Sequence, residues 1–262
     1  MLAADALTLP GLSLPAGHRL VSIATRPDLA EPMGDFNVAG WPEFMLNDPV
    51  MNEHWDHTTD DWPDSQLALL DGDDAIVATA NTSLLTWDGT DDGLPAGVDG
   101  QMLGAVAGLA DGIPADTTGA LQVIVDPARR GTGLADLMLQ AMCGVARAHG
   151  HRAVIACVRP TWKERYPLAP IERYARWTRA DGQPFDPWIR LHVRAGGRMV
   201  RPEPASMRIT GTVAEWEAWT GMVFPDSGDH IVPRAAAVVH IDCDADLGTY
   251  LDPNVWIVHD LR

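Results

Sequence analysis

Residues 121–135 read LQVIVDPARRGTGLA, and the parsing of this stretch decides the fold of the chain. Leu121, Val123 and Val125 alternate with Gln122 and Ile124, as a strand requires. Asp126-Pro127 ends that strand, because proline has no N–H to give to a ladder. After Gly131 and Gly133, the residues Leu134, Leu137, Met138, Ala141, Met142 and Val145 share one face of a helix that Gly150 stops. A buried strand, AVIACV, follows over 153–158. Strand, glycine turn, helix and strand in this order form a crossover unit suited to parallel or splayed neighbours.

The start of a helix exposes unpaired N–H groups and the positive end of its dipole, and glycines let a ligand approach them, so an anionic phosphate is the natural guest. Packing of strand against helix is the other reading of such a turn. Two phosphate motifs are excluded by the letters. A dinucleotide fingerprint needs GxGxxG, but Asp136 stands where the third glycine belongs. A triphosphate loop needs GxxxxGK[ST], which occurs nowhere in the chain.

Arg130-Gly131-Thr132-Gly133-Leu134-Ala135 satisfies [QR]-x-x-G-x-[GA] after a strand ending Val-x-Pro. In motif and context this resembles the GCN5-related N-acetyltransferase (GNAT) superfamily, as a divergent member. The resemblance implies an α/β fold: a mixed, mostly antiparallel central sheet with splayed parallel strands, flanked by helices. It implies acetyl-CoA or another acyl-CoA as donor, with the pyrophosphate cradled by Gly131, Thr132, Gly133, Leu134, Ala135 and Asp136. Arg129 and Arg130 would lie near the phosphates, and Val123, Ile124 and Val125 would bind the pantetheine arm by their backbone. The chemistry implied is direct attack of an amine on the thioester, with a base for the amine proton and an acid for the thiolate.

The family's usual tyrosine helix is missing after residue 158. Arg159 to Asp186 form an insertion rich in Arg, Trp, Tyr and Pro, and only then does PWIRLHVRAGGRMV supply a helix and a strand. His192, Tyr166 and Tyr174 are the candidate acids; each has a rival reading as a packed or hydrogen-bonded side chain. A usual base position holds the neutral Gln122, which leaves Glu164, Asp181, Asp186, Glu43, Asp48 and Glu53 as alternatives. His54-x-x-His57 lacks a third ligand for zinc, so no metal is expected.

At 262 residues, with 46% hydrophobic and 21% charged side chains, the chain can bury a full core. Its net charge of −17 repels nucleic acid and anionic membranes and favours an amine-bearing small-molecule acceptor. Three cysteines without CxxC spacing suggest neither disulfides nor zinc and fit a reducing cytoplasm. Residues 1–17 lack a basic n-region and read as a loose extension, and no stretch is apolar enough to span a membrane.

Along the chain, 18–24 reads as a first strand, 29–57 as short helices broken by Pro42 and Pro49, and 66–85 as a hairpin turning at Asp71-Gly72. Residues 87–118 read as a lid or surface excursion with a short helix over 101–109. The acyltransferase-like domain is thus expected over 18–209, with insertions at 87–118 and 159–186. Residues 210–262 read as an extension packing on that core, with Thr212 as an N-cap; its strand-like runs could cap the sheet, pair with it or form a homodimer contact. The expected activity is transfer of an acyl, foremost acetyl, group to the amine of a small metabolite. A non-catalytic acyl-CoA sensor and an enzyme using an acyl carrier protein are the rivals.

Overall fold

In the computed structural model, which describes residues 6–262, apolar runs pair into one nine-stranded sheet. The strands are β1 (Arg19–Ser22), β2 (Leu67–Leu70), β3 (Ile76–Leu85), β4 (Thr117–Val125), β5 (Ala153–Val158), β6 (Arg198–Gly211), β7 (Gly228–His230), β8 (Val239–Asp242) and β9 (Leu247–Asp260). Their order is β1-β2-β3-β4-β5-β9-β8-β7, and β6 pairs with β9 off this path. Every pair is antiparallel except β4 with β5. The helices are α1 (Ala30–Val38), α2 (Pro49–His54), α3 (His57–Asp60), α4 (Gly97–Ala110), α5 (Leu134–Ala148), α6 (Ile171–Tyr174), α7 (Pro187–Arg194) and α8 (Val213–Thr220). The fold is the mixed, mostly antiparallel α/β sheet expected.

Helix α5 carries β4 across to β5. Its buried face, including Met138, Leu139, Ala141 and Met142, packs with Leu67, Leu69, Val77 and Val154. Each fully buried side chain of this kind contributes about 1.5–3 kcal/mol. A second core joins Phe44, Trp62, Met102, Trp216, Tyr250 and Trp256. Among the described residues no helix is long and apolar enough to cross a membrane.

Several expectations need correction. The hairpin forms, but positive φ falls on Asp74 (φ 65°) and not on Gly72. Asp71 makes this possible: its Oδ1 accepts from the amides of Asp73 (3.0 Å) and Ala75 (3.2 Å) and fixes a turn longer than a two-residue one. The excursion over 87–118 is no surface loop, because α4 buries Val98, Met102 and Ala105 and packs against β3 and β6. From Leu7 onward the N-terminal segment is docked: the Leu7 amide donates to Leu20 O (2.7 Å), and Leu9, Leu12 and Leu14 lie on the α5 core. Residues 1–5 of that extension lie outside the described residues.

Of the alternatives open for the strand-like runs of 210–262, pairing with the sheet is the one observed, and the segment is part of the sheet itself. β9 sits inside it, with β6 along one edge and β5 and then β8 along the other. Residues 252–259 of β9 are all buried, as befits a strand covered on both faces. Thr212 does cap α8, in a capping box with Glu215. Because Ile257 is fully buried between β5 and β6, Ile257→Ala should cost about 2–5 kcal/mol of the whole domain's stability in urea unfolding. A loss below about 1 kcal/mol would mean that β9 is peripheral.

Candidate active site

The parallel pair β4–β5 is registered only from Thr117↔Ala153 to Ala120↔Ala156. At that point the β3 register jumps from Asn81↔Gln122 to Thr82↔Ala120, leaving Leu121 as a bulged residue. A bulge bends its strand and sharpens the local twist. β4 therefore leaves with β3, while β5 continues along β9. From Leu121 to Val125 the β4 edge facing β5 carries unpaired main-chain groups.

A cavity of ≈ 750 Å³ fills this opening. At one end it is lined by Val123, Ile124, Val125, Arg130 and Ala135. Gly131 (φ 80°) and Gly133 (φ 91°) shape the turn there, conformations that a side chain would strain. The amides of residues 131–136 donate to no protein group among the described residues. Six free donors at the mouth of a 15-residue helix, beside Arg130, fit a pyrophosphate. Arg129 does not join them, since its Nη2 donates to Asp71 Oδ2 (2.7 Å) and ties the cradle to the β2–β3 turn. Thr132 Oγ1 donates to Arg129 O (2.6 Å), so that side chain is spent on the turn.

His192, of the three candidate acids, lines the cavity. Asp186 places it: this residue caps α7 by accepting from the amides of Trp188 (2.9 Å) and Ile189 (3.2 Å). His192 Nδ1 lies 2.9 Å from His259 Nε2, and its Nε2 has no partner. Burial, and then His259, lower its pKa to about 3, so the ring is neutral. Tyr174 is buried, donates to Asp186 Oδ2 (2.9 Å) and has its pKa raised by burial and that carboxylate. Tyr166 packs edge-on to Trp177 and Phe185. Both tyrosines thus belong to an aromatic cluster that shapes 159–186 and are absent from the cavity wall.

The alternative bases separate in the same way. Glu164 lines the cavity. Asp186 is the α7 cap, and Asp48 caps α2 by accepting from the Met51 amide (2.9 Å). Asp181, Glu43 and Glu53 are exposed and off the cavity wall. Gln122 is locked into an uncharged network: Trp41 Nε1 donates to its Oε1 (2.6 Å), and its Nε2 donates to Asn81 Oδ1 (2.9 Å), which also accepts from Asn37 (2.9 Å). His57 Nδ1 pairs with Asp61 (2.6 Å), and no three His, Cys, Asp or Glu side chains among the described residues are grouped to hold a metal.

The far end of the cavity uses residues that no local motif marks. Between Val255, the last partner of β5, and Tyr250, the first of β8, the β9 edge is unpaired, and opposite it β6 bulges between Glu203 and Met207. Asp252 and Asn254 line the cavity from this gap. Asp252 Oδ1 accepts from Arg159 Nε (2.9 Å) and Tyr250 OH (2.6 Å). With the Asn254 amide oriented to donate to Asp252 Oδ2 (2.9 Å), its oxygen accepts from Ser206 (2.9 Å). Arg159 Nη2 donates to Arg234 O (2.8 Å), and the Arg159 guanidinium lies 5.9 Å from the Trp41 ring centroid. Burial and then the Asp48 carboxylate push the pKa of Asp99 up to about 7.

The acetyltransferase (GNAT) family model matches residues 47–165. Arginine N-acetyltransferase avaD of Aspergillus versicolor is 33% identical over 289 aligned residues, which span 96% of this chain and 97% of that protein. The chain belongs to the GNAT family. Its fold is shared by the loading GNATL domain of CurA from Lyngbya majuscula, at 16% identity and a TM-score of 0.59 over 93% of this chain and 98% of that one. The GphF GNAT-like decarboxylase, solved with isobutyryl-CoA, gives 17% identity and a TM-score of 0.57 over 93% of this chain and all (100%) of that one. As a GNAT member, the protein is an acyl-CoA-dependent acyltransferase in the general sense of that family.

If the cradle binds pyrophosphate, Arg130→Ala weakens coenzyme A binding about tenfold, or ~1.4 kcal/mol, in calorimetry. Arg129→Ala, which removes a partly exposed ion pair, leaves that affinity within about twofold and costs at most ~1 kcal/mol of stability. The opposite ranking would contradict the cradle.

Proposed function

We propose that the protein is an N-acetyltransferase that moves the acetyl group of acetyl-CoA to the amine of a small cationic metabolite, with arginine or a compound of its size as acceptor. One observation carries this reading: a single cavity passes from the amide cradle, by His192, to a polar end holding Asp252, Arg159 and Asn254. The name of the avaD relative supports an arginine-like acceptor. The net charge of −17 would draw a cation toward the cavity.

The cradle amides, Arg130 and the free β4 edge fit the donor, which supplies a thioester carbon open to attack. Glu164, the lining carboxylate without a structural hydrogen bond, takes the proton of the attacking nitrogen, directly or through water. His192 gives a proton from Nε2 to the departing sulfur. Asp252 has its oxygens engaged by Arg159, Tyr250 and Asn254, so it holds Arg159 in place and is not free to act as base. A histidine in this position argues against a non-catalytic sensor, whose cavity would need no proton donor.

Thiol release from acetyl-CoA should depend on an added amine and be fastest with arginine or compounds resembling it among a panel of amines and hydroxyl acceptors, with the acetylated nitrogen identified by mass spectrometry. Binding of acetyl-CoA without turnover on any amine would overturn the reading in favour of a sensor. Turnover only with a carrier-protein donor would overturn the donor assignment.

A further inference from the structure

His192 does not stand alone. Its Nδ1 is 2.9 Å from Nε2 of His259, 67 residues away on β9. Both rings are buried, at 2% and 4% exposure. His192 lines the large cavity, whereas His259 lines a second one of ≈ 290 Å³ between α5, residues 9–12 and the end of β9. The pair therefore bridges two cavities through a single hydrogen bond. Around it stand the Trp188 ring, edge-on to His192 (4.6 Å), and Arg147 on α5, which shares the second cavity with His259. Burial and then His192's neighbour ring keep His192 neutral, while burial and then Arg147 lower the His259 pKa to about 4.

Two neutral imidazoles in contact have one hydrogen between the facing nitrogens, and its position fixes what the outer nitrogens carry. With the hydrogen on His259 Nε2, His192 must carry its own hydrogen on Nε2, the nitrogen left without a partner. We propose that His192 and His259 form a proton relay that feeds the thiolate-protonation step from the second cavity, with His259 the positioning and relaying residue. The proposal rests on the acetyl-transfer reading above.

The acceptor nitrogen, entering as the neutral amine, bonds the acyl carbon and gives its proton to Glu164, while the C–S bond breaks and its electron pair leaves on sulfur. The His192 Nε2 proton passes to sulfur, the His259 Nε2 proton passes to His192 Nδ1, and His259 takes a proton at Nδ1 from water of the second cavity, leaving a hydroxide that the proton released outward on resetting turns back into water. Both rings end neutral in the other tautomer. The ammonium form of the next acceptor resets them, giving a proton to His192 Nε2 while His192 Nδ1–H passes one to His259 Nε2 and His259 Nδ1–H releases one outward. At no stage must a buried imidazolium form, which the surroundings disfavour.

The test compares His259→Gln and His259→Leu in the full chain with acetyl-CoA and the best amine. Glutamine can donate one N–H to His192 Nδ1 but cannot pass a proton on. A relay predicts that both variants lose about 100-fold in kcat with unchanged acetyl-CoA affinity, and that the wild type shows a curved dependence on deuterium fraction that becomes linear in His259→Gln. Wild-type kcat in His259→Gln would overturn the relay and leave His259 a purely orienting role. Absent wild-type turnover would instead overturn the acetyl-transfer reading; nitrogen NMR of the ring tautomers with coenzyme A bound then decides. Two neutral, coupled rings from pH 5 to 8 support the relay, and a ring that titrates in that range or shows no coupling overturns it.

Discussion

β4 and β5 stay paired for four residue couples and then part, and the rest of the molecule is arranged around that separation. Parallel strands have no local means of holding together beyond their ladder, so a bulge at Leu121 on one and a different partner for the other suffice to part them. The opening exposes a strand edge, which would invite aggregation on a surface. Here it is walled by α1, α2, α5 and α7 and becomes a cavity. The turn that starts α5 leaves unpartnered amides at the mouth of the same opening, so the proposed donor cradle and the strand separation come from one crossover unit.

The opposite wall solves a different problem, the burial of polar groups. Gln122, Asn81 and Asn37 satisfy one another and hold Trp41 without any net charge. At the far end a charge is buried, and Asp252 with Arg159 forms a pair whose remaining oxygens are taken by Tyr250 and Asn254. A buried ion pair costs more in lost hydration than it returns unless such additional hydrogen bonds exist. Arg234 adds a backbone in the left-handed region (φ 67°) whose carbonyl receives Arg159. Strain of that kind gathers at functional sites, in keeping with the proposal that this end receives the acceptor.

Local chemistry was legible in the sequence: the strand ending at Asp126-Pro127, the glycine turn, α5, β5 over 153–158 and the Thr212 cap are short-range features. The role of β9 was not, because its pairing with β5 joins segments about a hundred residues apart and its letters, DPNVWIVH, are equally those of an edge strand. His259, Asp252 and Asn254 were missed for the same reason. His192, Tyr166 and Tyr174 stood level as candidate acids, since an aromatic or imidazole side chain in or after an insertion is recruited to a pocket or to a packed cluster with equal ease, and only the folded structure puts His192 on the cavity wall. Arg129 and Arg130 are neighbours in sequence, and only the position of Asp71 on a distant turn separates their roles.

The most direct measurement is a crystal structure with coenzyme A bound. The expected result is pyrophosphate oxygens about 3 Å from the amides of residues 131–136, pantetheine along Val123–Val125, and sulfur between the separated strands beside His192. A coenzyme bound outside the separation of β4 and β5, or a sulfur directed away from His192, would contradict the account.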